Sequence, residues 1–248
     1  MDALIIAAGF GSRLREISDS KPMTPVAGIP LLELGVRQAK AAGAARVVVV
    51  TGHEAERLEA ALPALAARTG IAVEPARVND WTKPNGWSVI AGAERIASDY
   101  LLMMSDHIFS APILAGLARQ GGTDRAVTLA VDRRIDDPLI DPDDATWVER
   151  NKQGFIRAIG KHIMAYDAVD CGAFLCTPEL AEAIRGAIAA GQPGSLSEGM
   201  QRLADAGRAA TWEIGGAWWL DVDDPRAHEL AEAQAPRHLP EIYAAALS

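Results

Sequence analysis

The sequence has little cysteine. Its 248 residues hold two, Cys171 and Cys176, too few for a disulfide framework. Both fall in one strand-like run, where a separation of five turns their side chains to opposite faces. They are expected as reduced thiols of the core or its edge. Long apolar runs are also missing. The stretches 47–50 and 100–104 fall far short of the roughly 20 residues of a membrane span. The opening Met-Asp-Ala-Leu has no basic region and leads directly into a strand pattern. No secretory leader is expected, and the cytoplasm is the expected compartment. Positive charge is in deficit. Against 33 Asp+Glu stand 24 Lys+Arg, a net charge of −9. That argues against nucleic acid or an anionic membrane as the main partner. A small phosphorylated ligand stays compatible, because a metal ion and a local basic cluster overcome a diffuse negative field. Of the five histidines, His53, His162, His228 and His238 are scattered, with no metal-ligand spacing.

What is present is a hydrophobic share of 49%, enough for a sizeable core. The length allows one large or two small domains. The first half alternates in type. Strands are expected at 4–8, 47–51, 71–74 and 100–104, and helices at 31–42, 53–66 and 86–97. Gly43 suits a helix stop, and Pro63 predicts an end or kink near Leu62. The second half is less regular. Strands are expected at 126–131, 169–176 and 218–222, and a hairpin at 146–150 and 155–159 around Asn151-Lys-Gln-Gly154. Helices are expected from Pro178 to Ala190, after the capping box Ser195-Leu-Ser-Glu198, and after the cap Asp224-Pro225. No Pro/Gly/Ser linker divides the chain. The expectation is a single domain over 1–248 of α/β class, a Rossmann-like three-layer α/β/α fold. Its mixed, mostly parallel sheet carries antiparallel additions late in the chain.

The first strand runs into Ala7-Ala-Gly-Phe-Gly-Ser-Arg13, with Lys21-Pro22 close behind. Two glycines after a buried strand let backbone N–H groups approach an anion, and a nearby cation can bind phosphate. As generic chemistry this equally describes a turn. It is not a dinucleotide fingerprint, which would require Gly at Leu14, nor a Walker A loop, which lacks its Gly-Lys-Ser/Thr here. Asp106 follows a buried strand, at the end where open α/β sheets bind ligands. Asp221 and Asp223 alternate along the last strand and can face one way. Magnesium needs one or two protein carboxylates plus phosphate oxygens and water, which these three can supply. An acidic residue at a strand end also serves as a turn or cap, and Asp223 beside Asp224-Pro225 fits a helix start as well.

The run Leu4-Ile-Ile-Ala-Ala-Gly-Phe-Gly-Ser-Arg13, then Lys21-Pro22 and Pro25-Val-Ala-Gly-Ile-Pro-Leu31, resembles the start of the nucleotidyltransferase superfamily of sugar-phosphate nucleotidyltransferases and small cytidylyltransferases. The resemblance extends through Lys83-Pro-Asn-Gly-Trp-Ser88, Met104-Ser-Asp-His-Ile-Phe-Ser110, Ile159-Gly-Lys161 with Val169-Asp-Cys-Gly172, and Trp219-Leu-Asp-Val-Asp223. It covers almost the whole chain and is greatest to the CTP:inositol-1-phosphate cytidylyltransferase branch. The implied fold is nucleotide-diphospho-sugar transferase-like. The implied substrates are CTP and a small phosphorylated alcohol, with Mg²⁺ as cofactor. The branch is often fused to a membrane phosphotransferase; a free-standing enzyme with that partner on a separate protein is expected here. A homo-oligomer is compatible with the sequence.

The resemblance also implies roles. Gly9, Gly11 and the adjacent backbone of Ala7 and Ala8 would cradle the nucleotide phosphates. Arg13 and Lys21 would neutralise the triphosphate and the departing pyrophosphate. Asn85, Gly86 and Ser88 would lie along the base, where Asn offers both donor and acceptor. Asp106 and Asp221, with Asp223, would bind the metal, Asp106 also facing the nucleotide. Lys161 would contact the acceptor phosphate. His107 is expected to make a structural hydrogen bond at the strand end, because a phosphate monoester attacks without a general base. Met23-Thr24 replaces an expected apolar pair, and Trp87 is either a stacking or a core residue. Trp218-Trp219 are expected to pack beside the metal strand. No residue set for an inositol ring is identifiable by spacing. Other acceptors (phosphocholine, an aminophosphonate, a sugar 1-phosphate) with CTP or UTP form one alternative. A catalytically silent nucleotide-binding module and a glycosyltransferase are alternatives of other classes.

Overall fold

The apolar run at the start of the chain forms β1 (Asp2–Ile6), in which only Asp2 is not buried. In the computed structural model, which describes residues 1–246, this strand lies in the middle of the main sheet. Short 3-10 turns at Ser12–Leu14 and Lys21–Met23 follow, then the small hairpin β2 (Pro25–Val26) and β3 (Ile29–Pro30). The first half continues through α1 (Leu31–Ala41), β4 (Arg46–Thr51), α2 (Ala55–Thr69), β5 (Ala72–Arg77) and α3 (Gly86–Ala93) to β6 (Tyr100–Met104). The second half holds β7 (His107–Phe109), α4 (Ala111–Leu117), β8 (Val127–Asp132), β9 (Trp147–Arg150), β10 (Ile156–Gly160), β11 (Ala168–Cys176) and α5 (Glu179–Ala189). It closes with α6 (Leu196–Asp205), β12 (Ala209–Glu213), β13 (Trp219–Asp221), α7 (Pro225–His238) and α8 (Pro240–Ala246).

Neighbouring strands in the main sheet run β10-β9-β11-β6-β1-β4-β5, with β8 on β11 and β12 on β8. Strands β6, β1, β4 and β5 are mutually parallel. Strand β11 is antiparallel to β6, β8 and β9, so the sheet is mixed. Helices cover both faces. One apolar layer packs Val89, Leu180, Ile184 and Met200 under Leu4, Val48 and Leu102. The opposite layer packs Leu32, Val36, Leu58 and Ile113 over Ile5, Val49 and Met103. Cys176 belongs to the first layer and Cys171 to the second, the opposite faces expected of them. Among the described residues no helix is long and apolar enough to cross a membrane.

Local signals hold at several ends. Ser195 accepts from the Glu198 N–H while the Glu198 carboxylate accepts from the Ser195 N–H, completing a capping box. Asp224 accepts from the Ala227 N–H and starts α7. Pro63 is a correction, since α2 continues through it to Thr69. A proline inside a helix costs about 3 kcal/mol. Burying Leu58, Leu62 and Leu65 on one face contributes about 1.5–3 kcal/mol each and outweighs it. Boundaries also move: β1 runs over 2–6 rather than 4–8, and α2 over 55–69 rather than 53–66. Helix α3 stops at Ala93 rather than 97, where Arg95 and Ile96 turn back on Gly92 and Ala93. Strand β5 runs over 72–77 rather than 71–74, its edge position tolerating Pro75.

The strand order places the site. From β1 the chain goes to β4 on one side and returns to β6 on the other. The carboxyl ends of β1 and β6 therefore flank a switch point, where a crevice opens in α/β sheets. The Gly-rich loop leaves one of these ends and Asp106 the other.

Candidate active site

Two short strands bring distant acids together. Strand β7 pairs antiparallel with β13, with His107 opposite Asp221. The Val222 N–H then donates to the Asp106 carbonyl at 2.9 Å. Asp106 and Asp221 thus share one rigid corner although they are far apart in sequence. Val222 is fully buried, and Asp223, two residues past Asp221, returns to the same side.

Lys21 reaches this corner from the opposite wall. Its stem crosses Gly11, which is left-handed at φ +62, and a Cβ there would collide with the lysine. Glycine meets both demands at once. The Lys21 ammonium lies 2.6 Å from Asp106 Oδ2 and also donates to Asp223 Oδ1. Burial disfavours the charged lysine, but Asp106, Asp221 and Asp223 overcome this and raise its pKa. Burial likewise raises the Asp106 carboxyl, and Lys21 and His107 outweigh it, holding Asp106 well below the usual range. His107 Nδ1 is 2.9 Å from Asp106 Oδ1. Burial lowers the imidazole pKa, while Asp221 and Asp106 raise it to a net value of about 9.

Asp221 is the ill-matched member. Its Oδ1 is buried without a hydrogen-bond partner. Burial pushes its carboxyl up to about 7, with Asp106 and Asp223 adding repulsion against the attraction of His107 and Lys21. Two overlapping sets of atoms, from Asp106, His107 and Asp221 and from Asp144, Asp221 and Asp223, each lie within 4.8 Å of one another. A hard divalent cation is chemically suited to such carboxylate donors and would give the orphaned Asp221 oxygen a partner.

The corner opens into a cavity of about 520 Å³ bordered by Arg13, Asn85, Lys161, Asp170 and the segment 138–146. Arg13 Nη1 is 2.7 Å from Asp223 Oδ2, and Arg13 Nη2 donates to Asp144 Oδ2 at 2.9 Å. Lys161 donates to the other Asp144 oxygen. Burial raises the Asp144 carboxyl, but Lys161 and Arg13 bring it down to about 2. Asp170 accepts from the Gly172 N–H at 2.7 Å, yet burial leaves its carboxyl raised, to about 6.

The structure therefore gathers Arg13, Asp106, Asp221, Asp223 and Lys161 around one cavity, with Lys21 outside its lining but paired with Asp106 and Asp223. Ala7 and Ala8 are buried at the end of β1, and Gly9 and Gly11 lie in the loop beyond. Asn85 borders the cavity, but its Oδ1 accepts from the Leu196 N–H at 2.9 Å, leaving its amide N–H groups to offer. Gly86 faces the Gly194 carbonyl, and Ser88 is buried. Trp87 donates to the Pro193 carbonyl, and Trp219 stacks on His107. Sequence reasoning missed Asp144 and gave Asp170 no role. Five aspartates in 136–144 were the available signal.

Residues 3–205 match the model of the MobA-like NTP transferase domain. The bifunctional IPC transferase and DIPP synthase of Rubrobacter xylanophilus is 36% identical over 234 residues, 93% of this chain and 51% of that protein. Its counterpart in Aquifex aeolicus is 28% identical over 232 residues, 93% of this chain and 50% of that protein. The chain spans about half the length of these curated relatives. Among solved structures, the inositol-1-phosphate CTP transferase from T. maritima superposes with a TM-score of 0.81 at 23% identity, covering 93% of this chain and 94% of that one. At that identity the likeness concerns the fold.

Proposed function

We propose that this chain, which belongs to the MobA-like NTP transferase domain family and is a nucleotidyltransferase, joins CTP to inositol 1-phosphate with Mg²⁺, giving the CDP-alcohol and pyrophosphate. The observation that carries the reading is the corner itself. A lysine ammonium stands between Asp106 and Asp223, beside a carboxylate oxygen of Asp221 that has no partner. The name of the superposed structure favours this nucleotide and acceptor, and the relatives are named as IPC transferases.

Asp106 and Asp221, with Asp223, would hold Mg²⁺, which when bound neutralises and orients the triphosphate. The backbone from Ala7 to Gly11 cradles the phosphates. Arg13 and Lys21 donate to the β- and γ-phosphate oxygens. The free amide N–H groups of Asn85 contact the pyrimidine edge, with Gly86 and Ser88 shaping the loop behind. Lys161 holds the acceptor phosphate. An oxygen of that phosphate attacks the α-phosphorus of CTP. The bond to the bridging oxygen breaks, and pyrophosphate leaves with the electron pair. The acceptor monoester has a second pKa of about 6, so it is already mostly dianionic and needs no general base. Positioning two polyanions and stabilising the leaving charge suffice.

We read the chain as one domain. The family match stops at 205, yet β12 joins the main sheet and β13 supplies Asp221. The free, buried thiols of Cys171 and Cys176 accord with a reducing compartment, and we place the reaction in the cytoplasm. A membrane phosphotransferase would consume the product. The test is pyrophosphate release with Mg²⁺, crossing CTP, UTP, ATP and GTP with inositol 1-phosphate, phosphocholine, 2-aminoethylphosphonate and glucose 1-phosphate. Release with CTP and inositol 1-phosphate is expected. Release with another pair replaces the substrates and keeps the chemistry. Nucleotide binding with no release from any pair overturns the reading in favour of a silent binding module.

A further inference from the structure

His107 lies in a slot that the fold builds around it. Its ring stacks on Trp219, with centroids 5.9 Å apart and planes 13° apart. The Trp219 indole donates to Asp132 Oδ2 at 2.9 Å, and Asp132 is 2% exposed. Arg134 pins the same carboxylate. Gly172 closes the slot at φ +76. A Cβ there would stand 2.7 Å from His107 Nε2 and 2.9 Å from its Cγ, so any side chain would displace the imidazole. Two elements distant in sequence, β11 and the β8 end, thus constrain one ring.

From this slot Nδ1 addresses both acids of the corner. It is 2.9 Å from Asp106 Oδ1 and 3.7 Å from Asp221 Oδ1. A carboxylate facing it at hydrogen-bond distance only accepts, so Nδ1 carries the proton of that bond. The other partner of the Asp106 carboxylate is Lys21, on Oδ2. A bound triphosphate competes for Lys21. His107 then remains to keep Asp106 from rotating away from its like-charged neighbour.

We propose that His107 is a positioning residue. Its Nδ1–H fixes Asp106 Oδ1 so that the Asp106 and Asp221 carboxylates stay aimed at a common divalent cation, while Gly172, Trp219 and Asp132 fix the imidazole. The inference rests on the reading of Asp106 and Asp221 as the cation's carboxylates. Partners of ligating carboxylates are typically worth about 10–100-fold in metal affinity or activity.

The test uses the whole chain with CTP present, Mn²⁺ as the probe, and four variants: His107→Ala, His107→Asn, Gly172→Ala, and the double variant His107→Ala/Gly172→Ala. Mn²⁺ affinity is read from the free-ion spin-resonance signal, and kcat from pyrophosphate release. His107→Ala should weaken Mn²⁺ about 10–100-fold. His107→Asn, whose amide can donate where Nδ1 does, should recover most of that loss. Gly172→Ala should mimic the loss, and the double variant should be no worse than either single one, because both act through one hydrogen bond. Spin-echo spectra of bound Mn²⁺ should show no coordinated imidazole nitrogen. Wild-type affinity and kcat in His107→Ala, no rescue by asparagine, or a coordinated nitrogen would each overturn the proposal. Wild-type protein that binds Mn²⁺ but releases no pyrophosphate ends the parent reading instead, and the affinity series still decides the role of His107. Wild-type protein that binds no Mn²⁺ ends both.

Discussion

Lys21 and Arg13 both contact Asp223, yet they belong to different constructions. The Lys21 side chain is 11% exposed and is held between two carboxylates of the cavity lining, Asp106 just past β6 and Asp223 just past β13. The Arg13 side chain is 48% exposed and lies on the rim, where loops supply its partners Asp144 and Asp223. Lys161, 49% exposed and paired with Asp144, belongs to the same rim. Charges in the floor are desolvated and shift one another strongly. Charges on the rim are screened, and such pairs are worth about 0.2–1 kcal/mol each. A floor of this kind suits groups that must keep one geometry through a reaction. A rim of this kind suits groups that exchange partners when phosphates arrive.

The sharpest test of that division is in the floor. Asp106→Asn or Asp221→Asn should each remove several kcal/mol of charge stabilisation, a loss of about 10³-fold or more in turnover. Melting temperature of Asp221→Asn should not fall, since its Oδ1 accepts no hydrogen bond and burial already disfavours its charge. A variant with near-normal kcat would take the metal assignment away from that carboxylate. Lys21→Ala comes next. It should cut kcat by about 10²–10³-fold with CTP still bound, as for loss of one preorganised donor to developing charge. An effect confined to the acceptor KM would move Lys21 from floor to rim in function.

On the rim the expected effects are smaller and fall on binding. Lys161→Ala removes one charged hydrogen bond to the acceptor phosphate, about 1.5–3 kcal/mol. The acceptor KM should rise about 10–100-fold while the KM for CTP holds. A fall in kcat with both KM values unchanged would mean that rim and floor do not divide the work in this way.

The same division explains what the sequence made readable. Floor residues follow from local pattern: buried strands, a Gly-rich exit, and carboxylates just past strand ends. Asp106, Asp221 and Lys21 each sit beside such a signal, which alone equally describes turns and caps, and the family resemblance across those same blocks is what attached roles to them. Helix starts at Ser195 and Asp224 were legible for the same reason, since a cap is decided within four residues. Rim contacts are decided elsewhere. Arg13 meets Asp144 across 131 positions, and Asn85 meets Leu196 across 111, spacings with no periodicity to read. Pro63 failed as a stop because tertiary burial of its neighbours outweighed a local preference. The place of β11 between β6 and β8 also depends on long-range pairing, which no window of sequence contains.

Asp144→Asn should give the smallest change, and its sign is the informative part. One carboxylate holds both Arg13 and Lys161, the two rim cations assigned to phosphates. If it acts as a stand-in for phosphate, substrates must displace it and bear the loss of its pairs. Removing the charge should then favour substrate binding by about 1 kcal/mol, the upper value for an exposed pair, and lower the acceptor KM about fivefold. kcat should hold, because the floor is untouched, and the melting temperature should fall slightly as the pairs are lost. A higher KM would reverse the interpretation. Asp144 also lies with Asp221 and Asp223 in a set of carboxylate oxygens within 4.8 Å. In that case its charge would be helping to assemble the loaded site, and the boundary between floor and rim would run outside Asp144 rather than inside it.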